Sequence, residues 1–242
     1  MTDNINFERY NRNIIIENLG IDGQKKLLNA RVLVAGNGGL GSTVIATLSS
    51  LGIGHIGLVD NDVIELSNLN RQFIHKFDGV GRLKTESAQE WIKNYNPDTE
   101  VKTYNIRLNQ DNCKDIFAQY DIVIDCFDSF ESKFILNHAC NNFNIPLIHG
   151  GVSEYFGQVM VIIPSKSACL ECIFPDSERP SVLKGVVSPA VSTIASIQSM
   201  ETLKIILGIG EPLINTLLSY NGLKQEYKKI KIPQNTSCPV CG

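Results

Sequence analysis

A glycine run and four cysteines are the residues whose spacing suggests chemistry. Gly36-Asn37-Gly38-Gly39-Leu40-Gly41 follows the apolar stretch VLVA, and Cys169-x-x-Cys172 and Cys238-x-x-Cys241 form two close pairs. Gly-x-Gly-x-x-Gly after a strand and before a helix brings backbone N–H groups against phosphate oxygens. The helix N-terminus adds a partial positive charge. In such a loop Gly36 permits the tight turn, Gly38 lets the backbone approach, and Gly41 lets helix and strand pack closely. Asp60 ends the next strand about twenty residues further on, where a carboxylate can accept hydrogen bonds from ribose hydroxyls. These features suit NAD and ATP almost equally. The cysteine spacing lets two sulfurs reach one ion from a tight turn. Four thiolates close a tetrahedral Zn²⁺ sphere and leave no position for water, so a zinc there would be structural.

Cations separate the two nucleotides. After Asp60 comes NDVIELSNLNRQFIH, a polar, Arg-bearing loop that a dehydrogenase does not need. Attack at the α-phosphate of a triphosphate builds charge that cations or Mg²⁺ must offset. The candidate donors are Arg12, Arg71 and Lys84, and the candidate Mg²⁺ partners are Asp128 and Asp62. Each has a plainer reading. Arg71 could be a surface charge or pair with Asp60 or Asp62, Lys84 could be a solvated first-turn residue, and Asp128 could cap the helix that begins near Ser129. Placement favours function: Asp60 and Asp128 both follow the C-terminal ends of predicted parallel strands, where such sheets bind ligands. An NAD-dependent oxidoreductase would leave Arg12, Arg71, Lys84 and the cysteines unexplained. A non-catalytic scaffold would have no use for the cations and Asp128.

The elements that must position these groups alternate along the chain. RVLVAG, HIGLVD, EVKTYN, DIVIDCFD and IPLIHGG read as strands, separated by helical stretches at 40–51, 84–95, NQDNCKDIFAQ and SKFILNHACNNFN. Residues 9–29 are helical in character, with interruptions expected near Gly20 and Gly23. Strand–helix alternation implies a mainly parallel sheet with right-handed crossovers. FGQVMVIIP, a long helix at about 189–208, and the strand-like INTLLSYN and LKQEYKKIKI follow; such late strands often extend a parallel sheet in antiparallel sense. The expected fold is therefore α/β: a Rossmann-like, doubly wound, mainly parallel sheet extended by antiparallel C-terminal strands. Without a linker, residues 1–242 are expected to form one domain, with a nucleotide-binding half at about 1–150 and a zinc-bearing half at about 151–242.

Composition limits the function classes. The 242 residues are 43% hydrophobic, enough for a sizeable core, and the net charge of −3 gives no electrostatic footprint for nucleic acid. The N-terminus lacks the apolar core of a signal peptide, and Gln198, Glu201 and Lys204 interrupt the longest apolar run, so a cytoplasmic protein without a membrane span is expected. The remaining cysteines, Cys113, Cys126 and Cys140, read as small buried hydrophobes.

The chain resembles the ThiF/MoeB/HesA family of ATP-dependent adenylating enzymes, relatives of the ubiquitin-activating enzymes. The resemblance rests on RYNRNI, GNGGLGS, GLVDNDVIELSNLNRQ, VGRLKTESA, IDCFDS, GQVMV, CLECIFPD and CPVCG, which extend from residue 9 to 242. LSNLNRQ and the paired Cys-x-x-Cys are specific to the family; the glycine loop is not. The resemblance implies that Gly36, Gly38, Gly39 and Gly41 shape the phosphate loop, that Asp60 holds the ribose with Asp62 beside it, and that Asn68, Arg71 and Lys84 contact phosphates. It implies that Asp128 holds Mg²⁺, and that Arg12 reaches across a homodimer interface into the partner's ATP site. The implied reaction is attack of a carboxylate on the α-phosphate of ATP, giving an acyl-adenylate and pyrophosphate. The usual carboxylate is the C-terminal glycine of a small ubiquitin-like sulfur-carrier protein; a peptide or small-molecule carboxylate is the alternative. Thioester- or persulfide-forming members carry a cysteine in the loop that here reads IFPDSERPSVLKGVVSP. This loop has none, and Ser181 lies near the expected place. A hydroxyl does not supply the thiolate such chemistry needs, so adenylation without an enzyme thioester is expected.

Overall fold

A computed structural model describes residues 7–174 and 185–242. After a 3₁₀ turn, Phe7–Tyr10, the elements are α1 (Asn11–Ile14), α2 (Gly20–Asn29), β1 (Arg31–Ala35), α3 (Gly39–Leu51), β2 (His55–Val59), α4 (Lys84–Tyr95), β3 (Glu100–Tyr104), α5 (Gln110–Phe117), β4 (Ile122–Asp125), α6 (Phe130–Phe143), β5 (Leu147–Ser153), β6 (Phe156–Ile162), α7 (Leu170–Ile173), α8 (Ser188–Leu207), β7 (Thr216–Asn221) and β8 (Glu226–Lys231). The strands form an eight-stranded sheet in the order β3-β2-β1-β4-β5-β6-β7-β8. β1 to β5 are parallel, and β6, β7 and β8 are added antiparallel. The doubly wound expectation and its antiparallel extension therefore both hold.

Alternation along the strands splits the core into two layers. Val32 and Val34 of β1 join Ile122 and Ile124 of β4 and Val159 and Val161 of β6 on the face covered by α3 and α8. Leu33, Ala35, Val123, Met160 and Ile162 face the other layer, with Phe117 of α5 and Leu136 of α6. Burial on both faces makes the central strands near-continuous apolar runs. The chain order reverses between β1 and β4, which opens a crevice at their C-terminal ends.

The sequence-based boundaries hold within three residues, the end of β4 and the start of β8 falling furthest from expectation, except in the first helical stretch. Gly23 lies inside α2, where a Cβ would stand 3.2 Å from Leu19 Cγ and 3.4 Å from Leu207 Cδ2. It is a close-packing position, and the break falls between α1 and Gly20, which starts α2 at φ +59°. At the far edge of the sheet all six residues of β8 are exposed. No helix among the described residues is long and apolar enough to cross a membrane.

Candidate nucleotide site and cysteine cluster

The glycine loop leaves β1 at the crevice, and its geometry explains its residue types. Gly36 has φ +96°, and a Cβ there would lie 2.8 Å from the Cys126 carbonyl group at the end of β4. A Cβ on Gly41 would collide with the Gly36 carbonyl oxygen, so the helix can approach the strand only because that residue is glycine. At Gly39 a Cβ would stand 3.1 Å from Val191 and 3.4 Å from the Arg71 side chain. Gly38 meets only the Gln72 amide, at 3.4 Å, which leaves its backbone approachable.

One acid and one histidine brace the loop. Asp60, at the end of β2, accepts the Asn37 N–H through Oδ2 at 2.7 Å and the Asp62 N–H through Oδ1 at 2.9 Å. Burial raises the Asp60 carboxyl above its ordinary range, against the opposing pull of Lys84 and both N–H groups. His75 is buried behind the loop. Its Nε2–H donates to the Asn37 carbonyl at 3.0 Å, so Nδ1 is the acceptor for the Ser87 hydroxyl at 3.0 Å. Burial, aided by the nearby Lys84 charge, lowers the His75 pKa and favours this neutral form. Asn37 is itself fully buried, and neither polar atom of its side chain has a protein partner.

Lys84 is the first residue of α4 but is not solvated. It is buried, and its Nζ donates to Asp62 Oδ2 at 2.7 Å. Arg71 pairs with neither Asp60 nor Asp62; its Nη1 donates to the Ser67 carbonyl and Asn70 Oδ1 at 3.1 and 2.9 Å. Asn68 is buried and accepts the Glu65 N–H at 3.1 Å, fixing the 3₁₀ turn that carries Arg71. Asp128 is exposed and does not cap α6. Ser129 does, accepting the Ser132 N–H at 3.2 Å, because the residue one position nearer the helix has the reach.

The structure does not bring Arg12 to its own glycine loop. Tyr10, two residues away, packs where a Cβ on Gly52 would sit, at the C-terminal end of α3. Asn13 is tied to the same end through Gln24, which donates to the Leu51 carbonyl. α3 has 13 residues, so its two ends stand roughly 20 Å apart. Arg12 is exposed there, with no hydrogen bond or ion pair among the described residues.

Sequence reasoning missed a buried ionic group at the end of β4. Asp125 is fully buried and accepts from Lys133 Nζ through both oxygens at 3.2 Å, from His149 Nδ1–H at 2.8 Å and from the Phe127 N–H at 3.2 Å. Lys133 also donates to the Gly150 carbonyl at 2.7 Å, and His149 Nε2 accepts from the Gln158 amide at 3.2 Å. Burial opposes ionisation of Asp125, but Lys133 and His149 together hold its carboxyl below the usual range; burial keeps His149 neutral. A charge inside the apolar run IVID was the available signal, since such a charge must be paired.

The four paired cysteines converge. Their sulfurs all lie within 4.8 Å of one another, with Cys169–Cys238 at 3.7 Å and Cys172–Cys241 at 3.5 Å, an arrangement that could hold a metal ion. Cys113, Cys126 and Cys140 are buried, and burial raises the Cys113 thiol to about 11. Ser181 and most of the loop that lacks a cysteine lie outside the described residues.

Comparison with known proteins finds relatives along nearly the whole chain. The ThiF family model matches residues 10–240. The "SAMP-activating enzyme E1" of Haloferax volcanii is 36% identical, covering 99% of this chain and 90% of that protein. The "Sulfur carrier protein ThiS adenylyltransferase" of Escherichia coli is 34% identical, covering 98% and 95%. The crystal structure of E. coli MccB with MccA-N7isoASN superposes with a TM-score of 0.85 at 26% identity, covering 99% of this chain and 76% of that one.

Proposed function

The chain belongs to the ThiF family, and from that premise we propose that it is an ATP-dependent adenylyltransferase that activates the C-terminal glycine of a small ubiquitin-like sulfur-carrier protein. The observation that carries the reading is the convergence of the glycine loop, Asp60, the Asp62–Lys84 pair and Arg71 on the C-terminal ends of β1 and β2. A nucleotide seated there has its phosphates against the N-terminus of α3 and its ribose at Asp60. Gly38 leaves room for the backbone to meet a phosphate, and Asn68 holds the turn from which Arg71 extends. Lys84 sits next to Asp60 and Asp62, positioned to turn toward the triphosphate when it arrives.

The carboxylate nucleophile is already ionised at neutral pH, so no general base is needed. The chain's task is to hold carboxylate and α-phosphate in line and to balance developing charge, which Arg71, Lys84 and Arg12 do. Mg²⁺ suits one or two carboxylates together with phosphate oxygens and water, and exposed Asp128 at the end of β4 offers one such carboxylate. When bound, the ion supplies charge neutralisation. Arg12 stands at the wrong end of α3 for its own site, which supports a homodimer in which it serves the partner's. The cysteine cluster suits Zn²⁺: tetrahedral Zn–S bonds of ~2.3 Å require sulfur–sulfur edges of ~3.8 Å, close to the observed pairs. No cysteine occurs between residues 173 and 188, so the acyl-adenylate is passed on without an enzyme thioester.

ATP–pyrophosphate exchange tests the reading. Exchange is expected with a carrier protein ending in Gly-Gly and not with small carboxylates. Exchange with a short peptide in place of the carrier would redirect the assignment to a peptide substrate. No exchange with any carboxylate, together with tight NAD binding, would overturn it.

A further inference from the structure

We propose that Asp125, Lys133 and His149 are positioning residues that hold Asp128 at the nucleotide site; this rests on the adenylation reading above. Asp128 sits in a short loop whose two ends are tied to one buried carboxylate. On the N-terminal side the Asp125 carboxylate accepts the Phe127 N–H. On the C-terminal side Ser129 caps α6, the Lys133 N–H donates to the Ser129 carbonyl at 3.1 Å, and Lys133 Nζ returns to the same carboxylate. The Asp125–Lys133 pair thus closes a ring around Asp128.

The ring is anchored from every side. Lys133 reaches the Gly150 carbonyl on β5, His149 bridges Asp125 to Gln158 on β6, and Gln198 of α8 donates to the Asp125 carbonyl at 2.8 Å and to the Ile148 carbonyl at 3.2 Å. A Cβ on Gly150 would collide with Gln198, so that contact is close-packed. The same turn backs the phosphate loop: the Cys126 N–H donates to the Ala35 carbonyl at 2.8 Å, and Gly36 packs on the Cys126 carbonyl. A buried ion pair adds little net stability over an apolar substitute, but it fixes geometry. Here the geometry fixed is that of the one exposed carboxylate between Phe127 and the helix cap.

The test compares wild type with Lys133→Met, Lys133→Arg and the charge-neutral pair Asp125→Asn with Lys133→Met, which avoids an unpaired buried carboxylate if the single variant fails to fold. Two quantities are read: ATP affinity in EDTA against ATP affinity with excess Mg²⁺, and amide hydrogen exchange at residues 126–129 in the nucleotide-free protein. In the Met variants the gain in affinity given by Mg²⁺ is expected to fall by about tenfold or more, the usual scale for removing an outer support of a metal-binding carboxylate. Affinity in EDTA should stay near wild type, and the 126–129 amides should exchange faster. Lys133→Arg should restore both readouts. His149→Asn keeps a donor at the Nδ1 position and should resemble wild type, whereas His149→Gln should resemble the Met variants. If the folded neutral pair keeps the full Mg²⁺ gain and wild-type exchange at these amides, the positioning role is wrong while adenylation stands. If wild type itself shows no Mg²⁺-dependent ATP binding, both readings fall.

Discussion

Asp128 and the two buried histidines carry the predictions at the scale of single residues. Asp128→Ala removes an exposed carboxylate with no structural partner among the described residues, so the fold should persist. Mg²⁺-dependent pyrophosphate exchange should fall by on the order of a hundredfold or more; near-normal exchange would remove Asp128 from the mechanism. His75 and His149 are held neutral by burial, which places their folded pKa values below the unfolded value of about 6.5. The unfolded chain therefore binds protons first as pH falls. Their contribution to stability is complete above about 6.5 and is lost as pH drops toward the folded values. The melting temperature should decline from near pH 6.5 downward, and His149→Asn should flatten that decline; an unchanged slope would reject the assignment. At this scale the sequence exposed the groups assigned to a ligand in the proposed function: Asp60, Arg71, Lys84, Asp128 and the cysteines. It concealed the buried ionic group behind the Asp128 turn. Asp125, Lys133 and His149 are far apart along the chain, and only the pairing of β4 with β5 and the placement of α6 bring them together.

The elements were legible because their signals were local and redundant. β1 and β4 are buried on both faces and read as apolar runs, while α5 announces itself with Asn109, whose side chain caps the Asp111 and Asn112 N–H groups. Gly23 misled because glycine usually interrupts a helix, and its close contact with Leu207 depends on α8, nearly the whole chain away. Between elements the cysteine cluster acts as a clasp: Cys169 and Cys172 flank the start of α7, and Cys238 and Cys241 lie in the tail beyond β8. If the cluster holds the proposed zinc, Cys172→Ser should release it and lower the melting temperature by roughly 10 °C, since metal-binding energy at a structural site is folding energy. Elemental analysis showing unchanged zinc would refute a four-cysteine site.

At the scale of the whole molecule, the distance between Arg12 and its own glycine loop makes subunit exchange informative. In the proposed homodimer, Arg12→Ala and Asp128→Ala proteins should each be inactive. A mixed dimer joins an intact Asp128 from one subunit to an intact Arg12 from the other and so holds one complete site. Random re-assortment should recover about a quarter of wild-type exchange. Mixtures that stay inactive after re-assortment would place Arg12 outside the partner's site. The packing of the first turn at the C-terminal end of α3 was not readable from strand and helix periodicity, which says nothing of which end of α3 that turn meets.

Among the described residues β8 is the last strand of the sheet, and Lys228, Lys229 and Lys231 stand along that exposed edge beside Tyr227 and Ile230. An unpaired strand edge is a template on which any other strand can add, and like charges at each step make stacking of one molecule on another repulsive. These lysines are therefore expected to oppose edge-to-edge association. Replacing the three with Thr should leave ATP binding intact but cause concentration-dependent aggregation, visible by light scattering and suppressed by restoring a single charge. The antiparallel extension that completes the fold thus also leaves the sheet an open, lysine-bearing edge.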